Sequence, residues 1–474
     1  MSLEPSVDQK GAVEVDVSRE TPRQSSPIGP GNVPPSAWNP TPFFRSTLFQ
    51  ILVVGLCAFC APGIWSAMNG LGVGGSQSPD LVNAANALLY AFMTLTCFAG
   101  PFLTNLIGFR WTLAVGALGY PLYAAGLYVN NRTGGTWLVY FGSVACGISA
   151  GFFYSVEGAI ATAYPEHHKR GHYVATWFTF PNFGMIIGGA ISLALNHKVN
   201  QKGKVGYELY LAFIGIQCLG FFFGLFLSNP DKVMRDDGSR IEAPRGIHWR
   251  TELIEMWKLL RSRSILLLTP LFCVRSRALG SFVAAIVSTF PTWVGGSLVD
   301  LPWSKNRQTR ALATYSLIVC LNTATWIWAV IIQNEYRFTL PVLDWAFQSE
   351  FGRGFGLYPI DCELTRWDML ERASLGMIEN FIYWAIGNLS DSPGDQIRHS
   401  SLLRGIETAA VAVGFGIQAV PTPLIATARI NCGLWFIALP FSYFATLQVV
   451  KKFKEQGRML DRMQEGVGIV GQKV

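Results

Sequence analysis

The sequence predicts an all-α polytopic membrane protein made of two six-helix halves, and three observations carry that prediction. Half of the 474 residues are hydrophobic, only 14% are charged, and the mean hydropathy is +0.31. The apolar residues fall in blocks of about twenty, the length that crosses a ~30 Å hydrocarbon core as a helix. Between those blocks basic residues gather mostly in alternate loops, as a fixed membrane topology requires.

Taken in order, residues 1–44 are polar and rich in Pro and Ser and have no apolar core. They read as a disordered cytoplasmic tail rather than a cleaved leader, because the first apolar run is already of span length. Spans are expected at 47–69, 81–104, 111–129, 136–163, 172–196 and 207–228, which makes 45–228 the first half. The next loop, Ser228 to Arg263, carries Lys232, Arg235, Arg240, Arg245, Arg250, Lys258, Arg261 and Arg263. The positive-inside rule places it in the cytoplasm, and six crossings before it bring the N-terminus to the same side.

Within this linker (229–263), Trp249, Leu253, Trp257 and Leu260 recur at helical spacing while basic residues take the other face. That pattern fits a helix lying on the inner leaflet and fits a solvated linker helix equally well. Lys169 and Arg170, then Lys305, Arg307 and Arg310, then the basic tail 451–474, all fall on the predicted inner side. Lys198, Lys202 and Lys204 fall on the predicted outer side and are outvoted by their neighbours.

The second half (264–450) is less regular. Spans are expected at 278–299, 309–332, 373–390, 402–420 and 431–450, with a charged outside loop at 333–372. A sixth crossing would have to come from Ser264–Val274, an apolar run between Arg261 and Arg263 on one side and Arg275 and Arg277 on the other. About eleven residues at ~1.5 Å each reach only ~16 Å. The expected outcome is a half-helix, or one interrupted helix merged with 278–299, with Arg275 and Arg277 near the outer side or a wet cavity.

Internal repetition supports two halves. The segment Gly100-Pro-Phe-Leu-Thr-Asn-Leu-Ile-Gly-Phe-Arg110 follows the second span, and Gly296-Ser-Leu-Val-Asp300, with basic residues to Arg310, follows the eighth. Tyr154-Ser-Val-Glu-Gly158 and Tyr383-Trp-Ala-Ile-Gly387 share Tyr-x-x-x-Gly at matching positions of the halves. A transporter-like repeat accounts for both pairs economically.

The two loop segments resemble degraded copies of the major facilitator superfamily signature Gly-x-Leu-x-Asp-Arg-x-Gly-Arg. In the first, Leu103, Asn105 and Gly108 fall on the Leu, Asp and Gly positions; in the second, Gly296, Leu298 and Asp300 match. In that superfamily the aspartate pairs with basic residues to hold one conformation of the rocking cycle, which neutral Asn105 cannot do. More closely, the chain resembles the fungal branch of the uncoordinated-ninety-three-like family, whose members are ion channel regulatory protein-like. The resemblance rests on Gly158-Ala-Ile with Tyr164-Pro-Glu, Gly188-Gly-Ala-Ile191, Leu227-Ser-Asn-Pro-Asp-Lys-Val-Met-Arg-Asp-Asp-Gly238, Arg277-Ala-Leu-Gly-Ser281, Tyr383-Trp-Ala-Ile-Gly387 and Arg404-Gly-Ile406. It implies a complete seventh helix, which this chain lacks, and an apolar start to the tenth, where this chain has the charged run Asp361–Arg372.

Ionisable residues inside spans are the first functional candidates, since each is costly unless it faces a cavity or a partner. Glu157, Glu379 and Glu407 fall there and could carry a proton or hold a cation, or serve structure alone. Asn182 and Asn322, with Asn83, Asn86, Gln217 and Gln418, could add substrate-binding polarity or interhelical hydrogen bonds. Asn131-Arg-Thr133 is a glycosylation sequon in a predicted outside loop. The run Glu166-His-His-Lys-Arg-Gly-His172 reads as a cationic loop rather than a metal site, and Cys57-x-x-Cys60 as two small apolar residues in a helix.

No nucleotide loop, nucleophile with its base, or nucleic-acid patch is visible, so an enzyme and a cofactor are not expected. The expected partners are the lipid bilayer and a small solute or ion. Two functions follow: a secondary transporter working by alternating access, or, as the resemblance implies, a non-transporting partner that regulates or escorts an ion channel or other membrane protein. Either would be multi-pass, in the plasma membrane or an internal membrane, with both termini cytoplasmic.

Overall fold

The computed structural model describes residues 43–70, 79–166, 168–196, 206–235, 238, 241, 249–273, 282–304, 306–336, 363–389, 393–418 and 424–471. Among these the regular structure is helical, apart from one isolated bridge between Ser46 and Met234. Most of the expected N-terminal tail and of the charged loop 333–372 lies outside the described residues, as do 274–281.

The first span is built in two pieces. Helix α1 (Thr47–Ala58) is capped by Ser46, whose side chain accepts from the Phe49 N–H. A π turn at Phe59–Gly63 leads into α2 (Ile64–Gly70). Pro62 sits in that turn: it has no N–H to give, and its ring crowds the preceding carbonyls, so the wider turn accommodates it.

Helix α3 (Pro79–Ala117) holds the second span and the start of the third, which Gly108 separates with φ +84°. Its missing Cβ allows that positive φ. The third span finishes as α4 (Gly119–Thr133), restarted just before Pro121, which cannot donate to the Ala117 carbonyl. Helices α5 (Trp137–Ala163), α6 (Arg170–Asn196) and α7 (Tyr207–Gly224) complete the half. The linker folds as α8 (Trp249–Leu260). Then come α9 (Arg263–Cys273), α10 (Phe282–Asp300), α11 (Arg307–Tyr336), α12 (Glu363–Leu389), α13 (Pro393–Gln418) and α14 (Leu424–Gly471).

By length and composition alone, seven helical stretches among the described residues could cross a membrane, and one of them, Leu81–Thr133, contains two of the expected spans. The later boundaries move outward from expectation. Helix α12 begins inside the charged run, whose Leu, Met, Glu and Arg favour helix even in water. Its 27 residues would measure ~40 Å, more than a ~30 Å core. Helix α14 likewise continues through most of the expected basic tail.

The short fragment forms helix α9, packed on α13 and α14. Ser264 Oγ donates to Gln448 Oε1 at 2.6 Å, and Leu268 is buried in the core.

Pairing repeats between the halves. Helix α3 lies on α5 as α10 lies on α12; α1 touches α6 and α7 as α9 touches α13 and α14; α4 meets α7 as α11 meets α14. The halves join along two seams, α3 with α13 and α6 with α10, and α5 reaches α13 between them.

Glycine sets the closest approach inside the first half. A Cβ on Gly184 of α6 would stand 2.6 Å from the Phe59 carbonyl and 2.7 Å from Gly63 Cα, all backbone atoms that cannot swing aside. Gly184→Val is therefore expected to cost about 1–3 kcal/mol by overpacking, measured as a lower melting temperature in detergent.

Candidate functional site

One buried cluster gathers residues from both halves. On α5, Tyr154, Glu157 and Gly158 fall at i, i+3 and i+4 and so share a face. Glu157 is buried, and Trp177 Nε1 of α6 donates to its Oε2 at 3.1 Å. The Trp177 ring stands edge-on to Tyr383 of α12 with centroids 5.0 Å apart.

Arg404 of α13 occupies the middle. Its Nη1 donates to Glu407 Oε2 at 2.8 Å, and its guanidinium lies 4.6 Å from the Tyr154 ring centroid and 5.5 Å from that of Tyr383. A cation is thus held by one carboxylate and by two rings, one from each half. Glu157 and Glu379 lie within its electrostatic reach. Ser400 Oγ, Ser401 Oγ and Arg404 Nε are buried and have no hydrogen-bond partner among the described residues.

The repeated Tyr-x-x-x-Gly now has a physical reason. A Cβ on Gly158 would stand 3.0 Å from Tyr383 Cε1 and 3.2 Å from Ser400 Cβ, so the glycine of one copy makes room for the tyrosine of the other. Gly387, the second glycine, lies against Arg170, whose Nη1 donates to the Gly387 carbonyl.

The expected site residues divide. Glu157 and Glu407 enter the cluster, and Glu379 sits half-buried on α12 one turn before Tyr383. Asn182 is half-buried on α6 beyond Trp177, with no described hydrogen bond to the cluster. Asn322 is buried on α11, a helix that packs on α12 and α14, and its neighbour Thr323 accepts from Trp435 Nε1. It belongs to the support of the second half. Asn131 lies in the last turn of α4.

The two signature segments differ as their sequences do. At the α6–α10 seam, Gly171 and Gly296 bring the helices into backbone contact, and Asn380 Nδ2 donates to the Gly171 and Thr292 carbonyls. Asp300 Oδ2 accepts from the His172 N–H at 2.8 Å, near the α6 N-terminus, where a negative charge is favoured. The His172 ring nitrogen Nδ1 lies 2.9 Å from the same oxygen. Arg310 Nη1 holds the Asp300 and Leu301 carbonyls, each at 2.8 Å, and Leu298 packs on the core.

At the α3–α13 seam, Gly100 lies against Ser155 and Ser401, Leu103 is half-buried, Gly108 makes the turn and Arg110 is exposed. Asn105 Oδ1 is buried without a partner among the described residues. The carboxylate there comes from elsewhere. Glu252 of α8 accepts from Arg398 Nε at 2.7 Å and Nη2 at 3.0 Å, at the start of α13, and Arg398 Nη1 donates to Asp395 at 2.8 Å.

Two pseudo-equivalent six-helix halves that enclose a buried charged cluster at their seams define a membrane protein of the major facilitator type. Three solved structures share the fold at 12% identity each: the proton:xylose symporter XylE (TM-score 0.55, covering 85% of this chain and 95% of that one), the E. coli fucose:proton symporter FucP (0.52; 85% and 99%) and an outward-facing bacterial homologue of the iron transporter ferroportin (0.51; 86% and 98%). The chain belongs to the UNC-93 family: the family described as "Ion channel regulatory protein UNC-93" matches residues 83–295. Notoamide biosynthesis cluster protein O' of Aspergillus versicolor is 35% identical over 439 residues, 87% of this chain and 90% of its own length. UNC93-like protein 1 of Arabidopsis thaliana is 28% identical over 84% of this chain and 89% of its own, and an UNC93-like protein of Schizosaccharomyces pombe 26% over 93% and 92%.

Proposed function

We propose that this protein is a secondary transporter of a small organic solute, working by alternating access, with Glu157 as its proton-carrying group and both termini in the cytoplasm. The observation that carries the reading is the Arg404 cluster. Its cation is shared by Tyr154 of one half and Tyr383 of the other, so rocking of the halves changes the environment of Glu157. A relative named for a biosynthesis cluster supports an organic solute. The buried hydroxyls of Ser400 and Ser401 supply polarity for it at the seam.

The test is solute-driven proton flux. Proteoliposomes loaded with a pH-sensitive dye are expected to acidify when members of a panel of small organic acids, amines and heterocycles are presented. Glu157→Gln is expected to abolish the flux while the protein still elutes as a single species.

A second reading is a regulatory or trafficking partner of an ion channel or other membrane protein. It is favoured by the first signature segment, where a neutral Asn105, its oxygen without a partner among the described residues, replaces a gating carboxylate. Co-purification of a stoichiometric channel subunit, with no flux for any solute, would decide for this reading and against transport.

A further inference from the structure

Helix α8 has two faces of opposite character. Turning ~100° per residue, Glu252, Met256 and Leu259 point one way, and Glu252 and Met256 are buried on the side that packs on α3 and α13. The outer arc carries Leu253, Ile254 and Trp257, each between 48% and 56% exposed, and Trp249, in the first turn, is 46% exposed beside it. Interleaved with them are Arg250, Arg261 and Lys258, also exposed, and no acidic side chain falls within that arc. The acidic residues of the helix are elsewhere: Glu252 is held by Arg398, and Glu255 accepts from Lys258 Nζ at 2.7 Å.

The arginines stand with the aromatics. The Arg250 guanidinium is 5.2 Å from the Trp249 ring centroid, and that of Arg261 is 4.8 Å from Trp257. A purely solvated helix would gain nothing from four large exposed apolar side chains. A protein groove would bury these apolar groups but would need its own acidic residues to match the exposed arginines. A membrane surface with anionic headgroups satisfies both demands at once, because indole rings and leucines enter the interface while arginines bind phosphates. The linker also lies at helix ends of a membrane bundle, so the required surface is adjacent to it.

We propose that α8 is an anionic-phospholipid-binding helix, seated in the headgroup layer through Trp249, Leu253, Ile254 and Trp257 and holding lipid phosphates with Arg250 and Arg261. The Glu252–Arg398 pair fixes which arc faces the lipid. This assignment is independent of whether the protein transports.

The test uses the full chain in lipid nanodiscs, with an Ile254→Cys variant carrying a nitroxide label and the unsubstituted protein as the background for native Cys218 and Cys320. In discs of phosphatidylserine with phosphatidylcholine, the label is expected to collide readily with oxygen and poorly with a water-soluble nickel complex. In phosphatidylcholine alone, or with Arg250→Gln and Arg261→Gln, the buried population is expected to fall about fivefold per lost charge. Because both arginines are exposed, these variants are expected to fold, and a Trp257→Glu variant should expel the label in either lipid. A label equally open to nickel in all discs overturns the proposal and leaves the face to a protein partner. Equal burial in neutral and anionic discs overturns the anionic preference.

Discussion

Arg404→Ala is expected to be the most damaging single substitution in the membrane region. The change leaves the Glu407 carboxylate in a buried site without the guanidinium that now donates to it at 2.8 Å. Removing one member of a buried pair costs about 3–5 kcal/mol, because the remaining charge keeps its desolvation penalty and loses the guanidinium. Loss of the two ring contacts adds roughly 1 kcal/mol. In detergent the melting temperature should drop sharply, and Arg404→Ala with Glu407→Ala should be less damaging than the sum of the two single changes. Arg404→Lys should recover part of the loss, since a point charge restores the ion pair but not the planar stacking. A melting curve for Arg404→Ala that overlays that of the wild type would remove the cluster from any account of the protein.

Glu252→Gln is expected to release the linker helix. The two hydrogen bonds from Arg398 at 2.7 Å and 3.0 Å are both to a charged acceptor, and Glu252 is only 2% exposed. Neutralising it should cost about 2–3 kcal/mol, partly offset because Asp395 still holds Arg398. The readout is hydrogen exchange over α8, which should quicken while α10 and α12 keep their protection. Unchanged exchange in Glu252→Gln would show that Met256 and its neighbours hold the helix without the ion pair.

The helices were legible in the sequence because lipid imposes one rule on every residue of a span. Where that rule stops, so did the reading: α12 and α14 run past their apolar blocks into charged residues that favour helix in water as well. In the cluster, Glu157 and Glu407 declared themselves by their cost inside a span. Tyr154 and Tyr383 were visible only as a repeat, and that repeat becomes chemistry once both rings lie on Arg404. Trp177, Arg404 and the Glu252–Arg398 pair went unread as site residues. Their partnerships join distant segments, Glu252 and Arg398 being 146 residues apart, and nothing local in either segment announces the other.

The π turn at Phe59–Gly63 has a bearing on the far side of the molecule. A widened turn holds one residue more than an α-helical path would, so everything after it is rotated by about 100° relative to what precedes it. That rotation aims Trp65 at Tyr90 and Tyr123, with ring centroids 6.2 Å and 6.4 Å away, and Tyr90 in turn stacks at 5.5 Å on Phe415 of the opposite half. The turn therefore works as a phase setting: α1 fixes where the helix stands, and five residues fix which way its upper part looks. Deleting Pro62 itself would give a straighter, more regular helix. The same deletion would turn Trp65 out of this relay without altering a single ring in it.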